Sequence, residues 1–402
     1  MSESAAALDC RVVSEPAELV RLSSAWAALL ETSDSNEPTL SPQWLLTWWR
    51  VFGAQQGRRL CAVAFEENGR LVGLAPLLHR TSWYRGCVPF RRLEPLGAGE
   101  QATDAICSEY LNVLAERGAE GRVAVRLVGA LASGDLGEWD ELVFPMMNGA
   151  GPMPGLLAGA CRKAGLMAQT VVTMQAPYIP LPSTWDAYLQ LLSKTHRHYI
   201  RSALRDFDAW AGADQRFEQV TAPAALEKGL QILVSLHRQR WHNTAQGGAF
   251  RSPHFLAFHD AILPQLLGAK ALQMIWLHAQ GRPVAAMYNI VWNNKVYFYQ
   301  SGRDPTLPGR LRPGIVIIAK AIQQAIAAGR REFDFLGGSV PYKMQLALAN
   351  RPLVQLRVAR SSVRETVRLL LEAGAARYRH LQMSPLIQSM RGREPSQVQP
   401  HK

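Results

Sequence analysis

Two landmarks of this 402-residue chain occur twice. Ser41-Pro42-Gln43-Trp44-Leu45 returns as Ser252-Pro253-His254-Phe255-Leu256, and Gly69-Arg70-Leu71-Val72-Gly73 returns as Gly281-Arg282-Pro283-Val284-Ala285. The displacements are 211 and 212 residues, in the same order. In each copy a Ser-Pro start opens a helix, and a Gly-Arg turn joins two apolar runs into a hairpin. A duplicated helix-plus-hairpin module accounts for both echoes. Length agrees, because a chain this long exceeds one ordinary core and suits two domains.

Hydrophobic residues make up 48% of the chain and charged residues 19%, which excludes disorder except in the last dozen residues. Lys and Arg outnumber Asp and Glu by 44 to 32, a formal charge of +12. That excess favours an anionic partner: a phosphate-bearing cofactor, a nucleotide or RNA. Met1-Ser2-Glu3-Ser4 lacks a basic segment followed by an apolar core, and no run approaches the roughly 18 apolar residues that span a bilayer, so the expectation is a cytoplasmic protein without a membrane span. Five cysteines, all at or before Cys161 and without C-x-x-C spacing, suggest neither disulfides nor zinc and are expected in the cores.

Apolar spacing predicts helices over Glu15–Glu31 and Pro42–Phe52, and strands at Leu60–Phe65 and Leu71–Leu78 around the Asn68-Gly69 turn. Short strands at Tyr110–Leu114 and Glu141–Phe144 alternate with helices at Glu120–Leu131 and Pro154–Ala164. A helix from Thr184 to Trp210 then carries Lys194, Arg197, His198, Arg201 and Arg205 as one stripe. In the second copy, helices precede three antiparallel strands (Leu272–His278, Pro283–Trp292, Lys295–Gln300). A helix follows from Pro313-Gly314, then a strand at Glu332–Leu336, a last strand near Leu353–Val358 and a basic helix from Val363 to Leu381. The expected fold class is α/β, each domain a mixed, mostly antiparallel sheet flanked by helices. The domains are expected at 1–182 and 183–360, with a basic helix and fraying tail over 361–402.

The second half resembles CelD-like members of the GNAT acyltransferase superfamily, relatives of the Fem-type peptidyltransferases. The likeness rests on Lys194-Thr195-His196-Arg197, Gly281 to Ala285, Tyr299-Gln300-Ser301-Gly302, Pro313-Gly314, Phe333-Asp334-Phe335-Leu336-Gly337-Gly338 and Tyr342-Lys343. In the first half Ser41-Pro42-Gln43-Trp44, Trp48-Trp49 and Trp139-Asp140-Glu141-Leu142 extend it, so it spans residues 15–360. The resemblance implies two GNAT-like domains in tandem. It also implies acyl transfer, with acetyl-CoA or another acyl-CoA as donor and an amine or hydroxyl of a small molecule, saccharide or peptide as acceptor, in exopolysaccharide or cell-envelope synthesis.

Such chemistry requires a seat for the donor's pyrophosphate, polarisation of the carbonyl and a route for the acceptor's proton. The helix starting at Pro313-Gly314 offers backbone N–H groups and a positive dipole end, making Gly314 and Ile315, with Arg310 and Arg312 before them, the candidate donor site. The usual pyrophosphate signature departs here: Leu311 stands where its Arg would, and Val316 at its second small position. Asp334, a charge between Phe333 and Phe335, is a candidate acceptor-orienting group or base, and Lys343 is one candidate partner for it. Tyr299 and Tyr342 are candidate general acids. Lys194, Arg197, Arg201, Arg238 and Lys343 are candidate acceptor-binding residues, with Arg240, Trp241 and His242 beside Arg238. Each has a structural alternative: a solvated stripe, a packed tyrosine, a buried ion pair. No metal site is expected, because His196 and His198 point to different sides of a helix. The Gly97–Ala102 segment matches a dinucleotide fingerprint in letters but lacks the strand-to-helix context. Two other readings stay open, a Fem-like enzyme using aminoacyl-tRNA and a non-catalytic scaffold of a polysaccharide assembly. No counterpart of the Pro313-Gly314 helix is evident in the first half.

Overall fold

A computed structural model describes residues 8–241, 248–338 and 340–382. His242 and the tail beyond Gln382 lie outside the described residues. The first half runs β1 (Asp9–Val13), α1 (Pro16–Arg21), α2 (Ser23–Thr32), α3 (Pro42–Phe52), β2 (Arg59–Leu60), β3 (Ala62–Glu67), β4 (Arg70–Ala75), β5 (Leu77–Tyr84), β6 (Val88–Pro95) and β7 (Leu114–Ala115). It continues through α4 (Glu120–Ser133), β8 (Glu141–Asn148), α5 (Met153–Lys163) and β9 (Met167–Pro180). The second half comprises α6 (Trp185–Leu191), α7 (Lys194–Ala211), β10 (Arg216–Gln219), α8 (Leu226–Trp241), α9 (Pro253–Gly268), β11 (Leu272–Ala279), β12 (Arg282–Trp292) and β13 (Lys295–Arg303). It ends with α10 (Pro313–Ala327), β14 (Glu332–Asp334), α11 (Pro341–Leu346), β15 (Ala349–Ala359) and α12 (Val363–Gln382).

The echoed segments fold alike for a local reason. Ser41 and Ser252 each cap their helix, accepting the N–H of Trp44 at 3.2 Å and of Phe255 at 3.0 Å, with proline at the first helical position. The hairpin turns place Asn68-Gly69 and Gln280-Gly281 at positive φ, as a two-residue connection demands. α3 and α9 then pack on each other, Trp44 against Phe258 at 4.8 Å and Gln265 donating to Thr47 at 3.0 Å.

In each half a helix links two parallel strands: α10 lies between β13 and β14, and α4 between β6 and β8 in the chain. α4 is thus the first-half counterpart of the Pro313-Gly314 helix, hidden in the sequence because it starts at Ala119-Glu120 without a Pro-Gly signal. The two halves also exchange their last strands. β9 leaves the first half to pair with β14, β15 leaves the second to pair with β8, and β9 and β15 pair with each other at the centre. A single sheet of order β10-β11-β12-β13-β14-β9-β15-β8-β6-β5-β2 results, beside a small β1-β3-β4-β7 sheet.

Each half buries its own core, with Val63, Leu127 and Phe144 in one and Ile275, Ile317 and Phe333 in the other, while Trp44, Trp48, Phe258 and Tyr288 fill a third cluster between them. Several expectations change. The helix from Thr184 is two helices, because Leu192 is extended and Ser193 caps a new start. The strand at Tyr110–Leu114 shrinks to Leu114–Ala115, Tyr110 having a positive φ. Cys61 and Cys161 are buried, but Cys87 and Cys107 are exposed. No helix among the described residues is long and apolar enough to cross a membrane.

Candidate active site

β13 carries a bulge at Tyr299, where Tyr288 faces Gln300 and Asn289 faces Phe298. Past the bulge, Gly302 lies so close to α8 that a Cβ there would stand 2.4 Å from the His237 nitrogen. Only glycine permits that approach. The loop to α10 is fixed by Asp304, which accepts the N–H and hydroxyl of Thr306 at 2.8 and 2.6 Å and pairs with Arg282. Arg312, immediately before α10, holds a left-handed φ of 42°, a local strain of the kind that clusters at functional sites.

Between these pieces lies a cavity of about 340 Å³. Its walls are Ser301–Arg303 of β13, Leu307–Gly309 of the loop, Arg312–Ile315, Ile317 and Ile318 of α10, with Tyr199, Arg240 and Tyr342 closing the sides. Arg312 stacks over Tyr199 at 4.6 Å and lies 3.2 Å from the Ser202 hydroxyl. Arg240 bonds to Tyr342 and reaches Ser301 at 3.4 Å. Three guanidiniums thus meet the amino end of a helix. The N–H groups of Ile315 and Val316 are taken by the Arg312 carbonyl, at 2.8 and 3.1 Å, which leaves the Gly314 N–H for a ligand. A Cβ added at Gly314 would meet only Arg303, at 3.4 Å, so the space above that N–H is open. Burial raises the Tyr342 phenol and Arg240 opposes it; the phenol stays protonated at neutral pH and can donate.

The sequence-derived candidates divide sharply. Arg312, Gly314, Ile315 and Tyr342 converge on the cavity, whereas Arg310 is exposed outside its lining. Asp334 is fully buried and accepts from Tyr110 at 2.7 Å, Arg351 at 2.9 Å and the Leu336 N–H at 2.7 Å. Its ion-pair partner is therefore Arg351 rather than Lys343, because β15 sits two strands away across β9 and aims its arginine back. Burial pushes the Asp334 carboxyl up to about 6 against those bonds. Lys343 donates instead to the carbonyls of Phe335 and Gly337, at 2.7 and 2.8 Å. Tyr299 donates to the Ile106 carbonyl at 2.5 Å and packs in the cluster between the halves. Arg197 holds the last carbonyls of α6, Arg238 bonds the Phe250 carbonyl at 3.0 Å, and Lys194 and Arg201 are exposed on α7. Among the described residues no cluster of three or more His, Cys, Asp or Glu could hold a metal.

Sequence reasoning missed Tyr199 and Arg303 as cavity residues and Glu109 as a buried carboxylate. Glu109 comes from the first half and accepts the Gly337 N–H at 2.5 Å. Burial pushes it up to about 7, the Gly337 bond and Lys343 pulling the other way. Tyr199 was legible in principle, one turn before the strongly amphipathic face of Ala203 and Phe207, but Glu109 lies in a loop without periodicity. In the first half, Glu120 at the start of α4 accepts the Gly118 N–H, two residues before it, at 2.8 Å, and places its negative charge in the first turn of that helix.

The fold is that of two tandem GNAT-like domains, each a mixed, mostly antiparallel sheet flanked by helices, and the arginine-lined cavity lies at the helix tip of the second. Residues 194–344 match the Acetyltransferase (GNAT) domain family. No curated protein matches the chain. Among solved structures it is similar to a conserved protein of unknown function from Bacteroides thetaiotaomicron VPI-5482, with 11% identity, 87% of this chain and 100% of that one covered, and a TM-score of 0.52. It is also similar to the C-terminal domain of a putative lysylphosphatidylglycerol synthetase from Agrobacterium fabrum, with 13% identity, 90% and 96% covered, and a TM-score of 0.50.

Proposed function

We propose that this protein transfers an acyl group, acetyl or longer, from an acyl-CoA to an amine or hydroxyl acceptor, with the donor seated in the cavity at the tip of α10. The observation that carries this reading is the meeting, in one cavity, of an anion seat and a proton donor: the Gly314 N–H with Arg240, Arg303 and Arg312, and the Tyr342 phenol. A diphosphate gains charge-assisted bonds from such a seat, and the helix dipole adds to them. Ile315, Ile317 and Ile318 line the adjoining wall, where an apolar arm packs without losing hydrogen bonds. The acceptor attacks the activated carbonyl directly; Tyr342, kept protonated by burial and oriented by Arg240, delivers a proton to the leaving sulfur as the carbon–sulfur bond breaks, and the proton the acceptor sheds is released to solvent, from which the phenolate is reprotonated. A second reading, an aminoacyl-tRNA donor, draws support from Lys194, His198 and Arg201, exposed on the same helix that sends Tyr199 into the cavity.

Thermal unfolding with acetyl-CoA, longer acyl-CoAs and charged tRNA separates these readings, since a ligand of the native state raises its stability. The first predicts stabilisation by CoA thioesters; the second predicts tRNA binding that weakens steeply with salt. Gly314→Leu fills the open space above the helix tip and is expected to abolish the CoA-dependent shift while leaving the unliganded melting temperature within a few degrees of the parent. An undiminished shift in that variant removes the proposed seat.

A further inference from the structure

Two enclosed guanidiniums of this fold are each met by a pair of carboxylates: Arg351 by Glu332 and Asp334, Arg357 by Glu141 and Glu365. Arg240 is not. It reaches from the last turn of α8 into the cavity at the tip of α10, where burial and the neighbouring Arg303 both disfavour its charge. Around it stand the Tyr342 phenol, the Ser301 hydroxyl and, at 5.2 Å, the ring of Trp241. No carboxylate among the described residues pairs with it. A partly desolvated cation without a counter-charge is unfavourable in the resting fold and gains most when negative charge develops beside it. Ser301 lines the same cavity from β13, just past the bulge at Tyr299. Its oxygen accepts from Arg240 at 3.4 Å, which leaves its own proton to donate elsewhere. Two donors so spaced can both reach one oxygen between them at about 2.9 Å.

We propose that the Arg240 guanidinium and the Ser301 hydroxyl form a side-chain oxyanion hole for the thioester carbonyl. This hole presupposes the acyl-CoA donor, and it divides the three guanidiniums between two tasks. Arg303, whose side chain lies beside Gly314, and Arg312 serve the diphosphate; Arg240 serves the reacting carbon. The carbonyl oxygen and the sulfur share that carbon, so the group that protonates one must neighbour the groups that hold the other, as Tyr342 neighbours Arg240. When the acceptor's lone pair forms the new bond to carbon, the carbonyl π pair moves onto oxygen and meets the two donors. As that pair returns, the carbon–sulfur bond breaks and its electrons leave on sulfur, which takes the Tyr342 proton while the acceptor's proton passes to solvent. Arg240 and Ser301 keep their own protons throughout.

Two unreactive ligands of equal shape test the hole: carboxymethyl-CoA, with a negative oxygen at the acyl position, and carbamoylmethyl-CoA, with an uncharged amide there. In calorimetric titration of the full chain, the parent is expected to bind the carboxymethyl ligand about tenfold more tightly, the worth of charge-assisted hydrogen bonds. That ratio should fall close to one in Arg240→Gln and by about fivefold in Ser301→Ala, which loses a single donor. Arg303→Gln should weaken both ligands alike and keep the ratio. Binding of carbamoylmethyl-CoA reports in each case that the variant is folded. A parent that binds the two ligands equally, an Arg240→Gln or Ser301→Ala variant that keeps the parent's ratio, or an Arg303→Gln variant that loses it overturns the oxyanion hole and leaves the acyl-CoA reading standing. A parent that binds neither ligand overturns both.

Discussion

Glu109 shows what burial does to a single carboxylate. It is enclosed by protein, accepts the Gly337 N–H, and faces Lys343, which is held by the carbonyls of the same loop. Desolvation wins over these attractions and lifts the carboxyl to about 7, above its unfolded value near 4.5. Between those limits the folded state binds more protons than the unfolded one. Its contribution to stability is therefore complete below about 4.5 and lost as pH rises through about 7. The buried His237 and His259, lowered by burial to about 4, act in the opposite sense, their contribution being lost as pH falls through that value. Glu109→Gln keeps an acceptor for Gly337 and removes the titration. In urea unfolding from pH 4.5 to 7 the variant should gain stability relative to the parent as pH rises, and parallel curves for the two proteins refute the assignment.

Among the elements, α3 and α9 are the clearest products of local sequence. Ser-Pro specifies cap and first turn without help from the rest of the chain, which is why both helices, and the hairpins that follow them in the chain, were legible. Ser41→Ala and Ser252→Ala should each cost about 1 kcal/mol in denaturant unfolding, the usual worth of an N-cap. Values near zero for both would show that packing of α3 on α9 fixes the helix starts unaided. β5 and β6 escaped notice for the complementary reason. Arg91 and Arg92 break the apolar alternation of β6, and what makes them tolerable is remote: Asp140 and Glu141, which pair with them some fifty positions later. The same limit applied at the site. Gly314 and Tyr342 carried recognisable signals, whereas Asp334 could not be matched to Arg351 because their meeting depends on β15 lying beside β9.

For the molecule as a whole, the exchanged strands decide which parts can exist alone. A chain stopped at Ala347 lacks β15, which leaves β8 and the length of β9 without their shared partner and Asp334 without Arg351. A buried charge stripped of its counterpart costs about 3–5 kcal/mol, and the lost ladder adds to that. The truncated chain should therefore be cleaved by protease within residues 141–180, in the first half, although the deletion lies at the other end of the sequence. Resistance there equal to the full chain's would mean the halves are independent. A consequence for engineering follows from the same topology. Neither half can be lifted out as a separate unit, because each strand at the centre of the sheet is finished by the half that did not contribute it.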